Sequence, residues 1–386
     1  MADEQLSKKV LMTASVYAHI CNFHLPYLRE FQHLGWETHV GCADIPDEAP
    51  YINRVFRLPF KKKILSTANF QAALMLRKLI QTEQYDLIVT HTSLAAFFTR
   101  IASKGLKTRP KLVNVMHGYL FDERTHFPKR WLLLGAERLT APETDLLLLM
   151  NEWDFRTAKK YHLGRRIEKI PGMGVDFRRL NTATDEEGRK LRKQLDIPED
   201  AFILIYPAEL SKRKSQHVLI EAMQLLPENV WLILCGEGDQ LPFYQALAER
   251  LGVQQRVRFP GQIKDIATWY RMADALVASS RSEGLPFNIM EAMHVGLPVI
   301  ASAVKGHTDL IEDGVNGALY PYGNIKECAA CVKRIMSVRL FSMRQKGTPL
   351  AGVEPYRLSA VLPQVMAAYL SVAEDIDTSK KERLTQ

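Results

Sequence analysis

Residues 281–302 read RSEGLPFNIMEAMHVGLPVIAS. The run just before them, ADALVASS, has the short apolar character of a buried strand. An acid, Glu283, follows in the loop, and Gly284 next to it permits close backbone approach. A helix is expected to begin near Pro286–Asn288 and to carry Glu291, eight residues after Glu283. It stops at Gly296, and LPVIAS forms the next strand. The segment is therefore a strand, a loop, a helix and a parallel strand. The first N–H groups of such a helix are unpaired and its dipole end is positive, which makes an anion site. Carboxylates on either side would accept hydrogen bonds from hydroxyls.

The same alternation extends in both directions. KKVLMTAS, ETHVGCA, YDLIVTHT, KLVNVMHG and DLLLLMN read as strands in the first half. Helices fall between them, at LPYLREFQHLG and over Asn69–Thr82. The rhythm restarts with a charged helix over Asp185–Leu195, the strand AFILIYPAE, the helix HVLIEAMQLL and the strand VWLILCGEG. It continues through the helix PFYQALAERLG, the strand RVRFPG and the helix IATWYRMA. Two consecutive doubly wound α/β units with parallel sheets are expected, joined within Pro171–Thr184. The ligands of open parallel sheets sit beyond the carboxyl ends of the strands, so the chemistry is sought in those loops.

With 386 residues, of which 47% are apolar, the chain can fill two cores. No run is long enough to cross a membrane; the most apolar, Leu146–Met150, reads as a buried strand. The opening MADEQLSKKVLM does not read as a secretory signal. Five cysteines have no framework spacing, and Cys328 and Cys331 lie on a helical pattern as packing residues. A reducing cytoplasm is expected. The net charge of +8 is unevenly placed: residues 1–180 hold 27 Lys and Arg against 18 Asp and Glu, whereas residues 181–386 hold 24 against 25. Lys61–Lys63 read as a solvated loop, while Arg124, Lys129 and Arg130 stand beside Phe127 and Trp131. That mixture suits an anionic membrane face or an anionic substrate. No zinc-finger or RNP-type pattern appears, so no nucleic-acid partner is expected.

Glu283 and Glu291, embedded in EGLPFNIMEAMHVGLPVIAS, resemble the signature of family 4 retaining glycosyltransferases of the GT-B fold. The resemblance implies two Rossmann-like doubly wound parallel-sheet domains facing across a cleft. Their expected spans are an acceptor-binding domain over residues 1–178 and a nucleotide-sugar-binding domain over 179–350. Residues 351–386 would form a C-terminal helix crossing back to the first domain, followed by a polar tail. That helix reads as Glu354–Ala373 with an interruption near Pro363. In such a fold the position of Glu283 contacts the transferred sugar and that of Glu291 holds the ribose hydroxyls. Gly284, Leu285, Pro286 and Phe287 would line the diphosphate.

Two further segments extend the resemblance. In YPAELSKRKSQHVLIEAM, Lys214 matches the family's phosphate-binding lysine, while Glu209 stands where an arginine is usual. The segment is similar to a polysaccharide-assembly (exopolysaccharide and capsule) subgroup that has Ala-Glu-Leu here. Either Lys212 or Arg213 must then supply the second cation. In LCGEGDQ, Gly236 and Gly238 follow a strand as a nucleotide loop would, and Gln262 and Ile263 correspond to backbone that meets the base. MHGYLF places His117 and Gly118 at a strand end, near where related polysaccharide-assembly enzymes hold sugar and acceptor. His19, in HICNFHLPYL, is a second acceptor-side candidate, whereas His24 and His126 read as ordinary packed or surface histidines.

The resemblance implies transfer from a nucleoside-diphosphate sugar, a UDP-sugar, to a glycan or lipid-linked glycan at the inner face of a membrane. The catalytic set is Lys214, Glu283 and His117, with no cofactor. No His/Cys/Asp cluster has metal-ligand spacing, and the lone Asp-x-Asp, Asp375–Asp377, lies in a polar tail, so no metal is expected. Two rivals remain: another GT-B enzyme such as a nucleotide-sugar epimerase, and a non-catalytic relative that binds nucleotide sugar. Glu209 is the only residue favouring the second.

Overall fold

The computed structural model describes residues 7–341, 349–350 and 352–384, with backbone alone at 338–341 and 375–384. The chain divides into two units: Met1–Gly174 with Ser359–Gln386, and Val175–Leu358. The first unit holds β1 (Lys9–Val16), β2 (Glu37–Ala43), β3 (Arg54–Arg57), β4 (Leu87–His91), β5 (Lys111–Met116), β6 (Leu146–Leu149) and β7 (Arg166–Lys169). They form one parallel sheet in the order β3-β2-β1-β4-β5-β6-β7. The second unit holds β8 (Phe202–Pro207), β9 (Val230–Cys235), β10 (Val257–Gly261), β11 (Ala275–Ala278), β12 (Val299–Ser302) and β13 (Gly317–Tyr320). Their order is β10-β9-β8-β11-β12-β13, again all parallel.

Central strands β4, β6 and β9 are buried at every position. This follows from helices on both faces of a parallel sheet, and it explains why these strands read as continuous apolar runs rather than alternating ones. Each sheet reverses direction once, between β1 and β4 in the first unit and between β8 and β11 in the second. At such a switch point the neighbouring loops turn to opposite sides and leave a crevice. The register there is Val10 opposite Leu87 and Thr13 opposite Thr90, and in the second sheet Ala275 opposite Leu204. Thr13, Thr90 and Thr99 join their hydroxyls beneath the first crevice, at 2.8 and 3.0 Å, which satisfies three buried polar groups without water.

The units divide at Gly174, within the expected loop but before residue 178. The expected last segment is also split, because residues up to Leu358 belong to the second unit. There Val175 N donates to Tyr356 O at 2.8 Å and Leu358 N donates to Val175 O at 2.9 Å. The final helix runs Leu358–Leu384 without the interruption expected at Pro363. Pro363 is exposed and removes one backbone bond. Buried Val361, Val365, Met366, Tyr369 and Val372 hold the helix in place, with the Tyr369 ring 6.1 Å from that of Phe31 and nearly parallel to it. Cys328 and Cys331 are free and buried on the helix Ile325–Phe341, as packing residues. The side chains of Asp375 and Asp377 lie outside the described residues.

Candidate functional site

Three loops build the crevice of the second unit. The loop after β8 carries Arg213 and Lys214, and Ser215 follows in the left-handed region at φ +54° before the helix His217–Ala222. The loop after β11 carries Glu283. Arg281 N donates to Arg213 O at 2.8 Å and Ser279 Oγ donates to Lys214 O at 2.8 Å, so the two loops are clasped through backbone. Lys214 Nζ then reaches Glu283 Oε1 at 2.7 Å, and Arg213 reaches Glu283 Oε2 at 2.8 Å and Ser282 O at 3.1 Å. Ser280 Oγ adds a bond to Glu283 Oε1 at 2.5 Å, backed by Tyr206, whose hydroxyl lies 2.7 Å from Ser280 Oγ.

Burial would raise the pKa of Glu283, yet Lys214 and Arg213 outweigh it and hold the carboxyl well below the usual range. The group is an anion with two cations on it. Of the two cations left open by the sequence, Arg213 is the one that joins Lys214 on Glu283, although both it and Lys212 are exposed. Glu209 is also exposed, and its backbone carbonyl accepts from Gln216 Nε2 at 2.8 Å. The departure at this position therefore places no buried acid beside Lys214.

Gly284, Leu285 and Pro286 lead from Glu283 into the helix Phe287–His294. Asn288 anchors its first turn, donating from Nδ2 to Pro207 O at 3.0 Å and accepting from Ile289 N at 2.9 Å. Glu291 is buried on this helix. It accepts from the Tyr270 hydroxyl at 2.9 Å and pairs with Arg179. Burial raises its pKa in spite of these partners. Arg179 sits on the short turn Phe177–Leu180. The sequence reading missed it because nothing in FRRL distinguishes it from a solvated basic pair.

Gly236 and Gly238 are required by backbone contact. A Cβ on Gly236, at φ +143°, would lie 2.1 Å from Ala208 O, and one on Gly238 would lie 2.1 Å from Leu210 O. The Gly-Glu-Gly loop thus rests directly on the loop that carries Lys214. Gly236 N also donates to Gly261 O at 2.8 Å, next to exposed Gln262 and half-buried Ile263.

In the first unit, His91 ends β4, and His19 and His117 follow β1 and β5. With His24 they form a cluster that sequence spacing does not reveal. The rings of His24 and His91 stack at 3.5 Å, those of His19 and His117 meet edge-on at 4.4 Å, and those of His24 and His117 lie 5.4 Å apart. Burial lowers the pKa of His19 to about 4 and pushes His24, His91 and His117 well below their ordinary value. Four neutral imidazoles result. His24 is fully buried, neither a surface residue nor an isolated packed one. Thr92, beside His91, holds φ +63°, an outlier for a β-branched residue. Its Oγ1 accepts from Ser15 N at 3.2 Å and lies 2.7 Å from Ser15 Oγ. Gly118 follows at φ +116°. His19, His24 and His117 each offer a nitrogen within 4.8 Å of the others, a grouping that no ligand spacing in the sequence announces.

Comparison with known proteins adds the family. The pattern for glycosyl transferases group 1 matches residues 187–347, and that for glycosyltransferase family 4 matches residues 27–179. EpsD of Bacillus subtilis (strain 168), which carries a glycosyltransferase name, is 35% identical over 97% of this chain and 100% of its own. The chain belongs to the family 4 glycosyltransferases. An Escherichia coli relative, UDP-Gal:alpha-D-GlcNAc-diphosphoundecaprenol alpha-1,3-galactosyltransferase, is 26% identical over 83% of this glycosyltransferase and 86% of that protein. Among solved structures, Anabaena HepE in complex with UDP and glucose superposes with a TM-score of 0.70 at 23% identity, covering 97% of this chain and 100% of that one. WaaG, a glycosyltransferase involved in lipopolysaccharide biosynthesis, gives 0.70 at 19% identity over 93% and 99%. These likenesses establish the fold of this glycosyltransferase as GT-B.

Proposed function

We propose that this glycosyltransferase moves a sugar from a UDP-sugar to a hydroxyl of a lipid-linked glycan, with retention of anomeric configuration, in the assembly of a cell-surface polysaccharide such as an exopolysaccharide or capsule. The observation that carries the reading is the convergence of Lys214 and Arg213 on Glu283 at the switch point of the second sheet, at the start of the helix Phe287–His294. On donor binding, the two cations and the helix N–H groups turn to the diphosphate. As the anomeric C–O bond breaks, its electron pair passes to the phosphate oxygen, and these preorganised donors stabilise the charge. No metal is needed at the diphosphate, because Lys214 and Arg213 supply the positive charge. Glu283, relieved of its partners, accepts hydrogen bonds from the transferred sugar. Glu291 holds the ribose hydroxyls, while Gly236, Gly238 and Ile263 border the base. The acceptor's proton goes to the leaving phosphate, so no protein nucleophile is called for. His117, His19 and Gly118 are assigned to the acceptor side.

The UDP in HepE and the UDP-linked donor and diphosphoundecaprenol acceptor in the name of the Escherichia coli relative support this choice of substrates. The membrane part of the proposal rests on exposed Phe127, Trp131 and Leu132 standing beside Lys129 and Arg130 on one helix. The test is incubation with a panel of nucleotide sugars and a diphosphate-lipid-linked sugar. Acceptor-dependent release of UDP and a product of unchanged anomeric configuration are expected. Glu283→Gln should lower the rate at least about 100-fold, the scale for loss of one transition-state partner. A donor altered without acceptor would identify an epimerase instead, and binding without turnover a non-catalytic protein.

A further inference from the structure

We infer that His19, His24 and His117 form a binding site for a borderline divalent metal ion of the Zn2+ class. Three observations carry this. One nitrogen from each ring lies within 4.8 Å of the other two. His24 is fully buried with neither ring nitrogen bonded, and His19 Nε2 and His117 Nε2 are likewise buried without a partner. Buried polar atoms left in this way are rare, because each forfeits its hydration, and one shared partner would take one nitrogen from each of the three rings. The third observation is placement: His19 and His24 come from the helix Tyr17–Phe23 and its end, which follow β1, His117 comes from the loop after β5, and they stand beside the end of β4, at the switch point of the first sheet.

The donor set selects the ion. All three ligands are imidazoles, which suit Zn2+, Cu2+ or Ni2+, whereas Mg2+ and Ca2+ take oxygen. With Zn–N bonds of about 2.0–2.1 Å, tetrahedral ligand nitrogens stand about 3.4 Å apart, so each ring need shift by less than about 1 Å. His91 stacks on His24 at 3.5 Å and fixes its plane. Three protein ligands leave a fourth position open to water or a hydroxyl. The site is independent of the donor chemistry proposed above. Only one consequence rests on that reading: the ion and the acceptor would compete for His117, so Zn2+ would inhibit transfer.

The test uses the full chain, free of any polyhistidine tag and stripped with chelator, titrated with Zn2+ alone by calorimetry and with Co2+ alone by visible spectroscopy. No nucleotide is present, so failure of the transferase reading leaves the result intact. We expect one Zn2+ per chain and the strong visible bands of a four-coordinate Co2+ centre. His24→Asn and His19→Asn should each weaken Zn2+ binding more than about 100-fold, since even the loss of an outer-shell partner costs about 10–100-fold. Partly buried His19 keeps the test valid if the fully buried His24 variant fails to fold. Cys21→Ser, at an exposed thiol, should change nothing. Zn2+ uptake that is absent, that survives both histidine changes, or that is lost in Cys21→Ser would overturn the site.

Discussion

Glu283 is a buried carboxylate that stays ionised because Lys214 and Arg213 lie on it. The unfolded group titrates near pH 4.3, roughly the value of a free glutamate, and the folded group titrates lower. A lowered folded pKa gives stability that is complete above the unfolded value and is lost as pH falls toward the folded one. The difference in urea-unfolding stability between wild type and Glu283→Gln should therefore hold steady from about pH 7 to 5 and shrink below about pH 4. A difference that grows with acid would contradict the pairing. At the neighbouring loop, Gly236→Ala sets a Cβ against Ala208 O in a conformation reserved for glycine. We expect a loss of about 1–3 kcal/mol in stability, together with weaker UDP binding. An unchanged melting curve would show that the Gly-Glu-Gly loop yields freely.

At the scale of elements, the final helix buries one large aromatic side chain among others. Tyr369 is fully buried between Tyr27 and Phe31, at 6.0 and 6.1 Å between ring centres. Tyr369→Ala should cost about 3–5 kcal/mol in denaturant unfolding, the range for a large buried aromatic. A cost below about 1 kcal/mol would mean that the helix docks by other means. The sequence showed long periodic elements clearly: the helix expected over Asn69–Thr82 spans Thr67–Glu83, and ETHVGCA is β2 in full. It did not show β3 (RVFR) or β7 (RIEK). Both are short, charged, half-exposed edge strands, whose composition guards against pairing and removes the apolar run that marks a strand. The crevice of the second unit was legible because Glu283, Gly284 and Glu291 lie within one βαβ segment. The histidine cluster was not, since its members end or follow three different strands, His19 and His24 by way of a short helix. Only the order β1-β4-β5 makes them neighbours. Arg179 escaped for the same reason, being 112 residues from the Glu291 it meets.

For the whole molecule, the excess positive charge lies in residues 1–180, and exposed apolar side chains accompany it. Phe70 and Leu74 stand one turn apart on the helix Thr67–Glu83, and Phe127 and Trp131 one turn apart on the helix Phe127–Thr140. No helix among the described residues is long and apolar enough to cross a membrane. We expect the protein to sediment with anionic vesicles at low salt and to be released at high salt, because the contact is screened within about 10 Å at 0.1 M. Failure to bind such vesicles at low salt would remove the membrane from the account.

The central claim concerns a different anion, the donor's diphosphate at the second sheet's switch point. Calorimetric binding of UDP to wild type and to Lys214→Ala, with circular dichroism as the control for folding, addresses it most directly. The account predicts that a folded Lys214→Ala binds UDP at least about tenfold more weakly, the equivalent of about 1.4 kcal/mol. Equal affinity in the two proteins would contradict it.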